Sequence, residues 1–249
     1  MRWRNVGAGA WGAPSRYNAR MAFPDVVLRS RVFDGLTDGE RAAWLDRATI
    51  ATLERGRTLA RQGEPASHLY LLEAGFLKLS QLTPEGAEVI VRFIAPGEPF
   101  GGVVALNDAP YPVSAATVQA STLRAWPRDV VAGLLRDTPQ VRVNIMREMA
   151  MHMTAALTRV RELTSARVDQ RLAHTLLRLA DQCGRPERDG VLIAQPLTRQ
   201  EIADLTGTTL YTVSRTLARW ESLGLIETRK RMLLVRSAAK LEAVAGADE

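Results

Sequence analysis

The spacing of apolar and polar residues between Thr198 and Trp220 predicts two short helices joined by a tight turn. Thr209 is the predicted N-cap of the second helix. In this helix apolar residues recur at helical spacing on one face, and polar residues lie on the opposite face. The apolar stripe consists of Leu210, Val213, Leu217 and Trp220, and the polar face consists of Tyr211, Ser214, Arg215 and Arg219. We therefore expect one face of this helix to be buried and the other to be exposed.

Residues with special size or backbone requirements mark the contact between these two helices. Ala203 is small where the helices nearly touch, Gly207 permits the positive φ of a turn, and Val213 fills the space between the helices. Thr198 and Glu201 predict a capping box at the start of the first helix. The combination predicts a helix-turn-helix, which presents its second helix to the major groove of DNA. A helical hairpin with a solvated polar face is the alternative.

A short hairpin with a basic tip is predicted after the second helix. The runs 224–228 and 232–235 have the composition of strands, and Arg229, Lys230 and Arg231 lie between them. In such a wing, basic residues contact DNA phosphates, which adds affinity without sequence preference. A solvated turn is the alternative, but the position directly after a helix-turn-helix favours the phosphate role.

Short β-rich runs separated by glycine and proline fill the region from Val32 to Arg128. A short helix from Asp38 to Ala51 is predicted before them. The predicted strands comprise residues 69–72, 75–79, 89–94, 113–118 and 123–126. Strands at such regular spacing are typical of a barrel or jelly roll.

A long helix is predicted from Pro139 to Ala166, because apolar residues recur there in steps of three and four. The resulting seam consists of Met146, Met149, Met153, Ala156, Val160 and Leu163. A heptad seam favours pairing with a second copy, and a homodimer also suits a palindromic DNA site. An amphipathic helix packed on its own domain is the alternative. A second helix from Val168 to Gln182 and a loop from Gly184 to Pro196 are predicted to follow.

Composition narrows the class of protein further. The net charge of +6 indicates a polyanionic partner, and no apolar run approaches the roughly 20 residues that a membrane span needs, so no membrane partner is expected. Cys183 is the single cysteine, which excludes an internal disulfide and indicates a reducing, cytoplasmic setting. Residues 1–24 are predicted to be a disordered basic arm, or upstream sequence misassigned before a start at Met21.

Two motifs resemble those of the Crp/Fnr family of bacterial transcription regulators, and the resemblance covers about residues 25–237. The segment 59–75 is similar to the family's β-roll signature, and the segment 197–207 is similar to the opening of its helix-turn-helix. The resemblance implies an α+β chain that binds DNA and has RNA polymerase as a partner. The implied order is an N-terminal β-roll (a double-stranded β-helix or jelly roll, 25–137), a dimerisation helix (138–166), a winged helix-turn-helix (167–237) and a C-terminal tail (238–249).

The sensing chemistry of the family's known branches does not transfer to this chain. The positions that match the two phosphate-binding pairs of the cyclic-AMP branch are Gly101-Gly102 and Val113-Ser114, so the arginine that would pair with a buried phosphate is missing. Ala156 and Leu157 likewise replace the hydroxyls that the family's long helix offers to adenine. Cyclic AMP is therefore not expected as the effector. The oxygen-sensing branch needs clustered cysteines for an iron–sulfur cluster, which one cysteine cannot supply.

Two histidines leave haem open as a cofactor. His68 lies in the predicted β-roll and His152 lies beside the seam, and an ordinary structural histidine is the alternative for each. An unidentified small organic effector or an empty structural pocket is also consistent with the sequence. The predicted effector pocket comprises Gly101, Gly102, Val113, Ser114, His152 and Ala156.

The resemblance assigns the contacts to double-stranded DNA only in part. Arg215 matches the family's base-reading arginine, whose bidentate partner is guanine O6 and N7. Tyr211 stands where both main branches have a glutamate that accepts from cytosine N4, so the half-site is expected to differ there. The predicted DNA contacts are Arg199, Thr208, Thr209, Tyr211, Thr212, Ser214, Arg215, Arg219, Arg229, Lys230 and Arg231.

Three functions are consistent with these patterns. The favoured one is a dimeric regulator whose affinity for a palindromic operator depends on an effector. A constitutive DNA-binding regulator with a vestigial pocket is the second, and a metal-dependent jelly-roll enzyme is the third. Such an enzyme needs two histidines and a carboxylate at one open site, whereas only His68 lies in the predicted β-roll. We therefore predict no catalytic and no metal-binding residues.

Overall fold

The computed structural model describes residues 24–106, 109–229 and 231–246. The chain divides into two compact units, Met1–Met153 and Thr154–Glu249, and one long helix, Pro139–Ser165, contributes residues to both. The basic arm or misassigned start predicted at residues 1–24 lies outside the described residues except for Pro24. None of the described helices is long and apolar enough to cross a bilayer.

Two four-stranded antiparallel sheets form the centre of the first unit. The strands are β1 (Thr49–Leu53), β2 (Thr58–Ala60), β3 (His68–Ala74), β4 (Leu77–Leu82), β5 (Glu88–Ile94), β6 (Pro99–Phe100), β7 (Ser114–Thr117) and β8 (Ser121–Pro127). Their order is β1-β8-β3-β6 in one sheet and β2-β7-β4-β5 in the other. This pair of sheets confirms the predicted β-roll.

Short helices flank the sheets and lead into the long helix. The short helices are α1 (Asp25–Leu28), a 3-10 turn (Arg31–Phe33), α2 (Asp38–Asp46), α3 (Val103–Leu106) and α4 (Arg128–Asp137). The long helix is α5 (Pro139–Ser165). The start of α5 is fixed on the first unit by Asn144, whose Nδ2 donates to the carbonyl oxygens of Val32 (3.0 Å) and Asp34 (2.8 Å).

The core of the first unit is closed by aromatic side chains. The rings of Trp44 and Trp126 meet edge to face at 6.0 Å, and Phe33 packs against both. Each buried indole N–H has an acceptor: Trp44 donates to Thr138 Oγ1 (2.6 Å) and Trp126 donates to the Trp44 carbonyl oxygen (2.7 Å). This cluster therefore ties α2 to β8 and to the segment before α5 without leaving a buried donor unsatisfied.

The helix predicted from Asp38 to Ala51 is wrong at its C-terminal end. Helix α2 ends at Asp46, and residues 49–53 form β1, which pairs antiparallel with β8 from Thr49 opposite Ala125 to Leu53 opposite Ser121. The β-branched residues at the start of this segment favour a strand. Its partner strand lies far along the chain, so the local pattern contains no sign of the pairing.

The second unit contains a small sheet surrounded by helices. Its elements are α6 (Val168–Cys183), β9 (Gly184–Glu187), β10 (Gly190–Ile193), α7 (Arg199–Thr206), α8 (Leu210–Ser222), β11 (Ile226–Arg229), β12 (Met232–Val235) and α9 (Ala238–Ala245). The sheet has the order β11-β12-β10-β9. The β11–β12 hairpin after α8 agrees with the predicted wing.

Two predictions for this unit are wrong. The expected loop from Gly184 to Pro196 contains β9 and β10, and β10 pairs with β12. The expected C-terminal tail at 238–249 contains α9, which packs against α6 through the fully buried Leu241. In both cases the local sequence is rich in glycine, proline or small residues and does not predict the element. The element is stabilised by a partner that is distant in sequence, β12 for β10 and α6 for α9.

Candidate nucleic-acid interface and β-roll site

Helix α7 and the turn after it have the geometry that the sequence predicts. The capping box is formed: Thr198 N donates to Glu201 Oε2 (2.8 Å), and Glu201 N donates to Thr198 Oγ1 (3.1 Å). Gly207 ends the helix in the left-handed region at φ +60°. Ala203 and Val213 are fully buried between the helices. These contacts confirm the helix-turn-helix.

The buried face of α8 is shorter than predicted. Val213, Leu217 and Trp220 are buried, whereas Leu210 is 48% exposed. Leu210 is the first residue of the helix, directly after its N-cap Thr209, and the apolar stripe therefore extends past the end of the buried contact. The prediction that Leu210 belongs to the buried face is wrong.

The opposite face of α8 is accessible. Tyr211, Arg215 and Arg219 are exposed, and Ser214 is partly buried. The guanidinium carbon of Arg215 lies 5.9 Å from the centroid of the Tyr211 ring. A helix start that carries an aromatic ring, a hydroxyl and a guanidinium offers the groups that contact base edges in a major groove.

Threonines shape the start of this helix. Thr209 Oγ1 accepts from Thr212 N (3.2 Å), and the hydroxyls of these two residues are 2.9 Å apart. Thr208, just before them, is partly buried. Backbone N–H groups at a helix N-terminus favour a phosphate, so this end of α8 is suited to a backbone contact.

Hydrogen bonds join the wing to both helices of the motif. Arg199 Nη2 donates to Thr228 Oγ1 (3.1 Å), and Thr228 N donates to Glu221 Oε1 (2.7 Å). Leu197 N donates to the carbonyl oxygen of Arg231, an exposed residue at the tip with φ +71°. The wing is therefore fixed relative to α7 and α8.

Arg229 differs from what a basic tip suggests. Its guanidinium lies 2.7 Å from Glu227 Oε1 and 2.8 Å from Glu187 Oε2, with Asp189 at 3.9 Å. Glu227 also pairs with Arg236. Hydrogen bonds from Arg229 and then Arg236 lower the pKa of Glu227 to about 2. The charge of Arg229 is compensated within the protein, which leaves less of it for a phosphate, and Lys230 lies outside the described residues.

Two arginines that the sequence reasoning missed bind the end of α7. Arg159 Nη2, from α5, donates to the carbonyl oxygen of Leu205 (2.8 Å). Arg171, from α6, donates through Nε to Thr206 O (2.8 Å) and through Nη2 to Gly207 O (3.3 Å). Cations are favourable at a helix C-terminus, where carbonyl groups lack helical partners. No local pattern indicates these contacts, because the partners are distant in sequence.

The predicted seam of α5 is exposed along its length. Met146, Met149, Met153, Ala156, Val160 and Leu163 are all exposed, and so is the adjacent Leu157. The buried side chains of this helix include Val141, Ile145 and Glu162. An exposed apolar stripe of this length is typical of a surface that a partner covers.

The matched phosphate-binding positions in the β-roll carry no cation. A Cβ placed on Gly102 would lie 2.8 Å from Ile145 Cγ2 and 3.9 Å from Met149 Sδ. Ser114 Oγ accepts from Gln62 N at 3.0 Å, and Val113 is partly buried. Gly101, with φ +82°, approaches the backbone of His68. Ala156, another of the predicted pocket residues, belongs to the second unit and is exposed.

His152 lies in a charged cluster of the first unit. Its Nε2 is 3.8 Å from Glu148 Oε2, and Glu148 is also 3.7 Å from Arg31. Burial, and then the charges of Arg92 and Arg31, lower the pKa of His152 to about 4. Burial raises the pKa of Glu148. A neutral imidazole is therefore favoured here at neutral pH.

His68 has a different environment. Its Nδ1 lies 2.9 Å from Ser67 Oγ, and its ring stacks on Tyr70 with centroids 5.7 Å apart. Burial lowers the pKa of His68, opposed by the charge of Asp129. Within the described part of the chain, no three His, Cys, Asp or Glu side chains group together to hold a metal ion.

Known protein families match the β-roll and the helix-turn-helix of this chain separately. Residues 50–138 match the family model of the cyclic nucleotide-binding domain, and residues 170–244 match that of the Crp-like helix-turn-helix domain. The chain is 31% identical over 211 residues to a Lacticaseibacillus casei protein described as "Probable transcriptional regulator flp", covering 85% of this chain and 94% of that one.

Two further proteins extend the comparison. The "CRP-like cAMP-activated global transcriptional regulator" of Mycobacterium tuberculosis is 26% identical over 217 residues, which is 87% of this chain and 97% of that protein. The structure of FixK2 from Bradyrhizobium japonicum has the same fold, with a TM-score of 0.71 and 23% identity over 81% of this chain and 99% of that one. The matched relatives are regulators and not enzymes, which removes the jelly-roll enzyme from consideration.

Proposed function

Because the chain belongs to the Crp/Fnr family of transcription regulators, we propose that it binds a palindromic operator as a homodimer under the control of an effector other than cyclic AMP. The single observation that carries the DNA-binding part is the accessible face of α8 with Arg215 exposed. A helix-turn-helix supplies one such helix per subunit. A palindrome requires two of them about 34 Å apart.

The exposed seam of α5 supports the homodimer. Its six members are apolar or small and repeat in the steps of a coiled coil. Leaving this stripe in water would expose the methionine, valine and leucine side chains together. A second copy presents the same stripe, so a two-fold pairing covers both.

The chemistry of the β-roll supports an effector other than cyclic AMP. Val113 stands at the position of the phosphate-binding arginine, and no side chain fits at Gly102 without moving Ile145. A buried cyclic phosphate here would lack the charge partner that offsets its loss of hydration. The effector is therefore a neutral or differently bound small molecule. Haem held by His68 or His152 remains a candidate that spectroscopy of the purified protein tests directly.

The test is selection of bound sequences from a random DNA pool by the purified protein, with and without cell extract. We expect an inverted repeat with a guanine in each half-site, and stronger enrichment when extract supplies the effector. Calorimetry with cyclic AMP is expected to show no binding. Absence of any enriched sequence under both conditions would contradict the proposed function.

A constitutive regulator with a vestigial pocket is the second candidate. The close approach of Ile145 to Gly102 favours it, because the packing of α5 fills part of the space that a phosphate-binding side chain would occupy. For this candidate, the purified protein binds its operator with full affinity and extract changes nothing.

A further inference from the structure

The first turn of α8 exposes two adjacent apolar side chains at the place where this motif meets base edges. Leu210 is 48% exposed and Tyr211 is 72% exposed. Single exposed apolar side chains are ordinary on a protein surface, but here two lie together at the accessible start of the recognition helix. This part of the interface is therefore apolar, not acidic or amide-bearing.

Tyr211 also contacts Arg215, one turn later on the same face. The guanidinium carbon lies 5.9 Å from the ring centroid, which is within the range of a cation–π contact. A guanidinium must keep one orientation to donate to two guanine acceptors at once. The ring is placed to hold that orientation before DNA binds, which reduces the conformational freedom that Arg215 loses on binding.

The base edges in the major groove offer one apolar group, the C5-methyl of thymine. A carboxylate at position 211 would accept a hydrogen bond from cytosine N4, but a tyrosine ring and a leucine cannot. They can cover a methyl group, which cytosine lacks. The phenol hydroxyl can donate to thymine O4 or accept from cytosine N4, so the methyl group is what separates the two bases. The chemistry of the first turn therefore favours thymine over cytosine.

We propose that Tyr211 is a positioning and specificity-determining residue of the half-site: its ring orients Arg215 toward guanine and, together with Leu210, contacts the methyl group of a neighbouring thymine. The proposal rests on the proposed DNA-binding function and adds the base that accompanies the guanine. It assigns to an aromatic ring the two tasks of supporting a cation and recognising a methyl group.

The experiment replaces thymine by deoxyuridine, one position at a time, in the operator obtained by selection. This change removes the methyl group and leaves every hydrogen-bonding atom in place. We expect one position per half-site, beside the guanine, at which the full-length protein binds about fourfold more weakly, the affinity equivalent of one buried methyl group. A loss below about 1.5-fold at every thymine would overturn the proposal.

Variants of Tyr211 separate the two tasks. Tyr211→Phe keeps the ring and is expected to retain the deoxyuridine effect. Tyr211→Glu is expected to abolish it and to select cytosine in place of thymine. Tyr211→Ala is expected to abolish the deoxyuridine effect as well. It is also expected to reduce the discrimination between guanine and 7-deazaguanine, a base that lacks the N7 atom to which Arg215 would donate. Unchanged selection by Tyr211→Glu would also overturn the proposal.

Controls keep this test distinct from that of the proposed function. Leu223→Ala removes another exposed apolar side chain, at the far end of α8, and is expected to leave the deoxyuridine effect unchanged. Equal unfolding temperatures for all variants are expected, since the substituted side chains are exposed. If the wild type selects an operator but ignores thymine methyl groups, the inference alone fails. If it selects no operator, the proposed function fails and the inference with it.

Discussion

The recognition surface of the second unit and the β-roll site of the first are built in opposite ways. On α8 the functional side chains are exposed, while the backbone beneath them is fixed by a capping box, a glycine turn and the wing. In the β-roll the matched positions are glycine, valine and a serine that already accepts a hydrogen bond. The surface of α8 presents charged side chains to an external polyanion, whereas the matched positions of the β-roll carry no charged side chain.

This contrast shows that the two functions of such a chain depend on different physical conditions. DNA binding needs a few accessible side chains on a rigid frame. Binding of a small anion needs a charge partner within a prepared cavity, and that partner is missing at Val113. The described residues meet the first condition, and we propose that the second is not met for a cyclic phosphate.

The largest effect is expected from the helix that contributes to both units. Met153→Lys places a charge in the seam, where dimerisation would bury it without a partner, at a cost on the order of 3 to 5 kcal/mol. Sedimentation velocity should show monomer, and operator affinity should fall with it. Ala155→Lys adds the same charge at an exposed position outside the seam and is the control. A Met153→Lys protein that stays dimeric would contradict the seam.

The next effect concerns the recognition surface alone. Arg215→Ala is expected to cost about 1 to 3 kcal/mol in operator binding and to relax specificity at one base pair, because the guanidinium no longer donates to guanine. Competition binding with single-base operator variants measures both quantities. Unchanged specificity would remove Arg215 from base recognition, even if affinity fell.

A substitution in the β-roll tests the other side of the comparison. Gly102→Ala is expected to destabilise the protein by about 1 to 3 kcal/mol, since the new Cβ must displace Ile145. Gly133→Ala in α4 has room for its Cβ and is expected to stabilise by about 0.5 to 1 kcal/mol. Denaturant unfolding measures both. A neutral Gly102→Ala would mean that this region adapts easily and could accept a ligand.

The wing provides a smaller and more even effect. Arg231→Ala is expected to weaken binding to all DNA sequences about equally and to reduce the salt slope by about one. Arg229→Ala is expected to change the slope less, because Glu227 and Glu187 already compensate its charge. Titrations at several salt concentrations compare the two. A larger slope change for Arg229→Ala would reverse this ranking.

The smallest expected effect is a difference between the two units in how their stability depends on acidic pH. The pKa of His152 is lowered from 6.5 to about 4, so the stability that depends on its neutral form is present above pH 6.5 and is lost as the pH falls toward 4. The pKa of Glu227 is lowered from 4.5 to about 2, so its contribution is lost only between pH 4.5 and 2.

Thermal unfolding at each pH, followed in the wild type, His152→Gln and Glu227→Gln, checks these two windows. His152→Gln should remove the loss of stability in the upper window, and Glu227→Gln should remove it in the lower one. Equal pH dependence in all three proteins would show that neither group contributes.

The parts predictable from sequence are those built from neighbours along the chain. Thr198 with Glu201, the turn at Gly207 and the buried Val213 all depend on residues within one motif, and each was predicted correctly. The β-roll followed from the rhythm of strands and turns. The boundaries that failed, at β1, β10 and α9, belong to elements whose partners are distant in sequence: β8, β12 and α6 respectively.

The site shows the same limit. The position of Arg229 at the tip predicts a contact with DNA phosphate. Its charge is compensated in part by Glu187, which lies in a segment predicted as loop. The contacts of Arg159 and Arg171 with the end of α7 join residues from three helices, and no spacing rule connects them. Leu210 continued the periodic stripe by one residue beyond the surface that covers it.

The contacts of Arg159 and Arg171 have a mechanical consequence. Three consecutive carbonyl groups at the end of α7 take their hydrogen bonds from side chains anchored on α5 and α6. A sliding or rotation of α5 that withdrew Arg159 would leave the Leu205 carbonyl without that donor, so the turn gains by following the helix. Within this unit, the turn that sets the direction of α8 is therefore coupled by hydrogen bonds to the C-terminal part of α5, the helix that also carries the seam.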